Sequence, residues 1–337
     1  MKIQTYIFHR LLLLVFVLLG VATISFVISR IIPGNPAEMM AGEQAPPEVI
    51  EAIKEAMGID KPLHIQYLRY MGQLLRGDLG YAWHTQHDVI DDLLNRLPAT
   101  VELTFASMLF VLLGVFIGVY SATHRGGILD QIGRLFSLIG VSLPTFWFGL
   151  LLLLVFYTNL GWAPPPLGRI SVYIDPPTRI TGLYILDSII TLNWRALVNS
   201  IHHILLPAIC LTSGSLASIT RVTRSSMLEV LQADYITTAR VKGIRETIVI
   251  WKHALRNALL PVTTLGGLQI GYLLGGAVLT ETIFAWPGIG KYAVDSILWL
   301  DYAPVQGFMI FSAFVFSIVN LVVDILYYVL DPRIRYD

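Results

Sequence analysis

The sequence predicts an all-α integral membrane protein with six transmembrane helices, and three observations carry that prediction. Of 337 residues, 55% are hydrophobic and only 14% charged, with a mean hydropathy of +0.67. That leaves too little polar surface to cover a soluble globule. Six runs meet the roughly 20 mostly apolar residues that a helix needs to cross the hydrocarbon core, at 9–32, 99–123, 132–160, 202–225, 256–281 and 304–329. Basic residues collect in alternate connections and acidic ones in the others, the asymmetry that orients membrane helices.

The first run follows Lys2 and Arg10 as a secretory signal would, but Ser29-Arg30-Ile31-Ile32-Pro33-Gly34 has no small-residue cleavage site, so 1–32 reads as an uncleaved anchor. Residues 33–97 differ in character. Pro46-Pro47, an acidic first turn at Glu48 and a terminal Gly58 outline one helix, by the preference for Pro at the start and Gly at the end. Ile65, Leu68, Met71 and Leu75 recur at helical spacing after Pro62, and Gly77-Asp78-Leu79-Gly80 stops that helix. The result is a small helical extracytoplasmic subdomain, apolar enough to pack on the outer mouth of a bundle. In the third run, Pro144 within Ser142-Leu143-Pro144-Thr145 is expected to kink the helix and free a carbonyl. Trp162-Ala163-Pro164-Pro165-Pro166 and Asp175-Pro176-Pro177 exclude regular elements beyond it, and 181–194, with its Tyr and Trp, suits the outer interface. Gly266-Gly267, Gly271 and Gly275-Gly276 give the fifth run a small-residue face for close helix contact. The segments 98–330 form a five-helix transmembrane domain, and 331–337 a tail.

An even number of spans puts both termini on one side. With the N-terminus in the cytoplasm, the inside gathers Lys2, Arg10, Arg125, Arg134, Arg221, Arg224, Arg240, Lys242, Arg245, Lys252, Arg256, Arg333 and Arg335, and the outside Glu38, Glu43, Glu48, Glu51, Glu55, Asp60 and Asp78. Equal numbers of basic and acidic residues, 23 each, argue against nucleic acid as a partner. The lone Cys210 cannot form an internal disulfide.

The cytoplasmic connection 226–256 is the most informative segment. It offers no paired carboxylates, no nucleophile with an orienting base and no metal-ligand spacing, so it is shaped for docking rather than chemistry. Asp234 stands where an N-cap would start a helix, Tyr235, Ile236 and Ala239 would share a face, and the small Thr237, Thr238 and Ala239 permit close approach. Arg240, Lys242 and Arg245 would meet either anionic headgroups or a partner protein.

The order D-Y-I-T-T-A-R-V-K-G at 234–243, continued to Leu260-Pro261, resembles the EAA motif of ATP-binding-cassette (ABC) importer permeases, with Thr237-Thr238-Ala239 at the motif's head and Gly243 as its glycine. The two threonines and the long gap to Pro261 resemble the peptide/nickel subgroup. So do I-I-P-G-N-P at 31–36, G-I-D-K-P-L at 58–63, R-G-D-L-G at 76–80, R-L-P-A-T-V-E-L at 96–103 and W-P-G-I-G at 286–290. The resemblance implies a type I ABC importer permease fold in the cell inner membrane, forming one half of a heterodimeric pore. It further implies a homologous sister permease, two ATP-binding cassette subunits that hold the ATP and magnesium, and an extracytoplasmic substrate-binding protein. Peptides are the first substrate class implied, with nickel chelates or oligosaccharides as alternatives.

Ionisable residues at membrane depth are functional suspects because an unpaired charge there is costly. Glu102, Glu281 and Asp324, with Pro144, are therefore candidates for a pathway or gate; the plainer expectation is interfacial solvation for Glu102 and Glu281, and pairing with a neighbouring helix or a backbone group for Asp324. His84 and His87 beside Asp88, Asp91 and Asp92 fall short of a complete metal set. Gly288-Ile289-Gly290-Lys291 is not a phosphate loop, since Ala285 replaces its first glycine and Tyr292 its Ser or Thr. The chain is thus expected to bind no cofactor itself and to be no enzyme. A secondary transporter or channel would need more coupling carboxylates than Asp324 supplies. An intramembrane enzyme would need more than the adjacent His202-His203.

Overall fold

The computed structural model describes residues 3–31, 33–42 and 44–330. Lys2, Glu43, Arg333, Arg335 and the tail 331–337 lie outside the described residues, and at Arg134, Gly271, Gly275 and Gly276 only the helical backbone is described.

The chain opens with α1 (Ile3–Ile31) and α2 (Pro36–Ala41), the latter capped by the Asn35 side chain, which accepts from Ala37 N at 3.2 Å. The two subdomain helices form as the punctuation signals. α3 (Pro47–Met57) starts on proline and ends at Gly58, whose φ of 66° completes a left-handed cap with Ile59 N donating to Lys54 O. α4 (Leu63–Leu74) follows Pro62. A minimal antiparallel rung, β1 (Tyr81–Ala82) on β2 (His87–Asp88), pairs Tyr81 with Asp88. α5 (Val89–Thr123) then runs through Pro98, ten residues earlier than the second predicted span.

The third predicted span is not one kinked helix. α6 (Ile128–Ser142) stops short of Pro144, which is extended at φ −60° and ψ 131° and caps α7 (Thr145–Leu152). Proline lacks a donor and keeps the residue before it out of the helical region, so here the chain breaks. α7 loosens into a π-helical turn, Leu153–Asn159. After an irregular stretch come α8 (Tyr184–Ile190), α9 (Trp194–Val230), α10 (Asp234–Val241), α11 (Glu246–Ile248) and a second π-helical turn, Val249–Ala254. α12 (Leu255–Gly276), α13 (Val278–Ile283), α14 (Ile289–Leu298) and α15 (Tyr302–Leu330) complete the chain. Among the described residues, four helical stretches are long and apolar enough to cross a membrane: Ile7–Ile31, Val89–Thr123, Trp194–Val230 and Tyr302–Val322.

Two compact units divide the chain, Met1–Thr100 with Pro287–Asp337, and Val101–Trp286. In the first, α1 packs along α15, and α14 packs on α15. Val89, Leu93, Ile289 and Tyr292 form its buried core. α4 is tied to α1 by Thr23 Oγ1 with Tyr67 OH at 2.9 Å and Ser25 Oγ with Tyr70 OH at 3.2 Å, with the Phe26 ring against both tyrosines. In the second, α9 is the central post, touched by α6, α7, α8, α12 and α13. α5 reaches it where Gly118 faces Thr223: a Cβ there would stand 2.6 Å from Thr223 Cβ and 2.8 Å from Thr220 O. Small residues permit such backbone contact in a medium where the hydrophobic effect cannot drive helix association.

Candidate functional site

After α9 the chain turns through Leu231, and Ala233, not Asp234, caps α10. Asp234 is the first helical residue and makes no capping bond, so its carboxylate contributes through the positive end of the helix dipole. Ile236 is 0% and Ala239 8% exposed. They enter an apolar cluster with Val119, Ala122, Met227, Val249, Ala254 and Ala258, and burying an isoleucine side chain is worth about 1.5–3 kcal/mol. Tyr235 departs from the expected shared face: it is exposed, and its hydroxyl accepts from Asn257 Nδ2 at 2.7 Å. Thr237 is exposed, and Thr238 Oγ1 donates to Asp234 O at 2.9 Å.

α10 ends in a Schellman cap. Gly243 N donates to Arg240 O at 2.9 Å and Ile244 N to Ala239 O at 3.3 Å, with Gly243 at φ 75°. No neighbour lies within 4 Å of where a Gly243 Cβ would stand, so backbone conformation alone calls for glycine. Arg240 is turned back on the elbow, forking onto Glu246 at 3.2 and 2.7 Å. The hydrogen bond from Arg240, with its charge, holds the Glu246 carboxyl below its usual range. Lys242 and Arg245 remain exposed. Pro261 lies inside α12 on an exposed position, beyond the π-helical turn.

The same unit contains an ion pair that sequence reading passed over. Asp130, 1% exposed near the start of α6, accepts from Arg224 Nε at 2.6 Å and Nη2 at 3.0 Å, and from Gly126 N at 3.0 Å. It fastens α6 to the last turns of α9, two turns before the elbow. An acid three residues after Gly127 on the basic side of the chain is the signal that could have found it.

Glu102 is not solvated. It is 6% exposed and pairs with Arg169, which donates from Nε at 3.1 Å and also from Nη2; Ile185 N donates to its second oxygen at 2.7 Å. Arg169 also donates to Gly182 O at 2.9 Å and lies 3.7 Å from the centre of the Tyr184 ring. The proline-rich stretch is thus built around a charge, because a carboxylate in an apolar wall requires a cation. Burial opposes ionisation of Asp187, but Thr181 Oγ1 and the N–H groups of Thr181, Ile180 and Gly182 all donate to it and hold its carboxyl below the usual range. Glu281, also expected in the interface, is fully buried on α13. Asp324 pairs as expected, with Arg10 of α1 at 2.6 Å, in the other unit. Glu102, Pro144 and Glu281 belong to the unit Val101–Trp286, where α7, capped by Pro144, touches α13, which carries Glu281.

His84 Nδ1 is 2.9 Å from Asp301 Oδ2, while His87 is exposed. Among the described residues no cluster of three or more His, Cys, Asp or Glu side chains is placed to hold a metal ion. Gly288 is the N-cap of α14, and Lys291 is paired with Asp295 at 2.6 Å.

Comparison with known proteins matches residues 114–336 to the family described as binding-protein-dependent transport system inner membrane component, and 3–104 to its N-terminal companion. The chain is 45% identical to a dipeptide transport system permease protein, DppB, of Alkalihalophilus pseudofirmus, over 98% of this chain and 99% of that protein. It is 44% identical to a probable D,D-dipeptide transport system permease protein, DdpB, of Escherichia coli K12 over 95% and 94%. It is also 44% identical to a di/tripeptide transport system permease protein of Pseudomonas aeruginosa over 98% and 99%.

Proposed function

The chain belongs to the family of binding-protein-dependent transport system inner membrane components, and from that membership we propose that it forms half of the pore of an ATP-driven importer of short peptides. It is an all-α, multi-pass membrane permease. In this reading the bilayer is crossed six times, the broken pair α6 and α7 and the α12–α13 stretch adding two passes to the four long apolar helices. Both termini then lie in the cytoplasm, 33–97 outside, and 98–330 is the transport domain with 226–256 as its coupling loop. The partners are a homologous sister permease, two ATP-binding cassette subunits carrying ATP and magnesium, and an extracytoplasmic binding protein. Peptide is preferred over nickel chelate or oligosaccharide because the three relatives above carry dipeptide or di/tripeptide in their names.

The observation that carries the mechanism is the two-sided packing of α10. Ile236 and Ala239 seat it on the segment entering α12, while Thr237, Thr238 and Tyr235 face outward. A partner gripping the outer side would move α10 as a rigid lever, and the apolar seat would pass that motion to α12. The Asp130–Arg224 pair would carry α6 along with α9. Such a lever works only while its seat stays packed, because packed elements transmit small shifts and loose ones absorb them. Glu102 on its Arg169 pin, the Pro144 break and buried Glu281 would frame the gate, and the Arg10–Asp324 pair would tie α1 to α15. Reconstitution tests the reading: vesicles holding both permeases, the ATPases and the binding protein should accumulate labelled dipeptide only with ATP. Accumulation by this chain alone would overturn it.

A further inference from the structure

Within the first unit, the end of α1, α3 and α4, the β1–β2 rung and the start of α15 enclose a cavity of about 270 Å³. Its walls carry the guanidinium groups of Arg30 and Arg69, the rings of Trp83 and Tyr302, and the polar side chains of Asp301 and Gln306. Among the described residues neither arginine is ion-paired with a carboxylate.

Arg30 is held by neutral groups. Its Nε donates to Gln66 Oε1 at 2.9 Å, and its guanidinium carbon lies 4.4 Å from the centre of the Tyr302 ring and 4.8 Å from that of Phe26. Gln66 cannot turn away, because its Nε2 donates to Ile59 O at 3.2 Å and Lys61 O at 2.7 Å. Arg69 is seated over glycine: a Cβ on Gly58 would stand 2.7 Å from its Nη1. The acids in the same walls are engaged elsewhere. Asp78 accepts from Gly80 N at 2.8 Å, and Asp301 Oδ2 accepts from His84 N at 3.1 Å. Three atoms of lining residues have no protein partner: Arg30 Nη1, Gln306 Nε2 and Asp301 Oδ1.

Two guanidinium groups without a carboxylate partner, Arg30 held by its neighbours and Arg69 exposed at the rim, suit a carboxylate, which matches their planar donor geometry. The acceptor left on Asp301 suits an ammonium. Aromatic walls with a few convergent polar groups are the usual make-up of a small-molecule site, and the volume, below the usual range of about 300–1,000 Å³, admits only a very small ligand. We infer that this cavity binds the zwitterionic backbone of a dipeptide, its carboxylate toward Arg30 and Arg69 and its ammonium toward Asp301. Choosing a peptide rests on the transport reading above; the charge pattern does not.

The test is calorimetric titration of the purified permease complex in lipid nanodiscs, without binding protein, using Ala-Ala, its N-acetyl form, its C-terminal amide, and acetate. Ala-Ala should bind, and the amide should bind at least about tenfold more weakly, as loss of a charge-assisted contact requires. R69Q, at an exposed side chain, should weaken Ala-Ala to a similar degree. G58A should act in the same direction without altering any charge, by displacing Arg69. Equal binding by the R30Q/R69Q pair and the parent, equal binding of amide and free peptide, or no binding of Ala-Ala would each overturn the inference. ATP-driven dipeptide uptake is followed in parallel. Uptake with binding unchanged in the variants sinks the cavity site and leaves the transport reading standing; charge-dependent binding without uptake does the reverse.

Discussion

The stretches 160–183 and 231–245 both join helices of one unit, and they are fastened by opposite means. The first has no regular structure and closes around a buried charge, Arg169 on Glu102, with Asp187 gathering the N–H groups of 180–182. The second is helical, seats the two apolar side chains of Ile236 and Ala239 and keeps its polar groups outside. A charge-centred loop is all or nothing, since losing one partner strands the other in an apolar wall. An apolar seat can instead be weakened by degrees, and its outer face stays free for a partner. The first arrangement suits a fixed pin and the second a part that is pushed.

Removing one member of the pin tests this most severely. R169A leaves Glu102 with only the Ile185 N–H and should cost about 3–5 kcal/mol, the usual cost of stranding one member of a buried pair. The thermal midpoint of the detergent-purified protein is the measurement. A midpoint unchanged from the parent would mean that water reaches Glu102 and that the two stretches do not differ as described.

Weakening the seat comes next. I236A should cost about 2–4 kcal/mol at the elbow, as large-to-small changes at buried sites do. The cost should be local: hydrogen exchange across 234–242 rises and ATP-driven uptake falls, with less loss of overall stability than R169A causes. If uptake persists while exchange at α10 rises, a packed seat is not what transmits the motion.

Third, G243V places a β-branched residue at φ 75°, costing about 1–2 kcal/mol by left-handed strain. Uptake should fall while the ATPase subunits still co-purify. Uptake at the parent's rate with the complex intact would refute the lever.

How far these differences were legible depends on whether their cause was local. Pro47, Gly58 and Pro62 act on their own backbone, so α3 and α4 could be read directly; Gly243 acts likewise at the end of α10, but it was marked only as the glycine of the resembled motif. Pro144 was read correctly as a disturbance but too mildly, because whether a proline kinks or breaks a helix depends on what the surroundings offer the freed groups. The two π-helical turns carry no pattern in the sequence. Glu102 was misjudged because Arg169 lies 67 residues away, and spacing along the chain gives no hint of their meeting. Asp130 with Arg224, 94 residues apart, escaped for the same reason. Tyr235 was placed on one face with Ile236 and Ala239 by helical periodicity, but it is exposed while they are buried, and its hydroxyl meets Asn257, beyond the elbow. What is fastened locally can be read along the chain; charge pairs over long loops cannot.

The smallest effect bears on whether any charge helps to fasten the elbow. Arg240 and Glu246 form a good fork, but both side chains are about half exposed, 43% and 54%. Solvent and salt screen such a pair to about 0.5 kcal/mol or less. Because the Glu246 carboxyl titrates below its ordinary range, the contribution is fully present above the unfolded pKa of about 4.3 and is lost as pH falls through the lower folded value. A double-mutant cycle with R240A and E246A should therefore show a small coupling at neutral pH that shrinks with added salt and vanishes in acid. A coupling of about 2 kcal/mol, in the range of hydrogen bonds to charged groups, that survived high salt would place the elbow with the loop at 160–183 as a charge-fastened element. The contrast between pin and lever would then rest on the apolar seat alone.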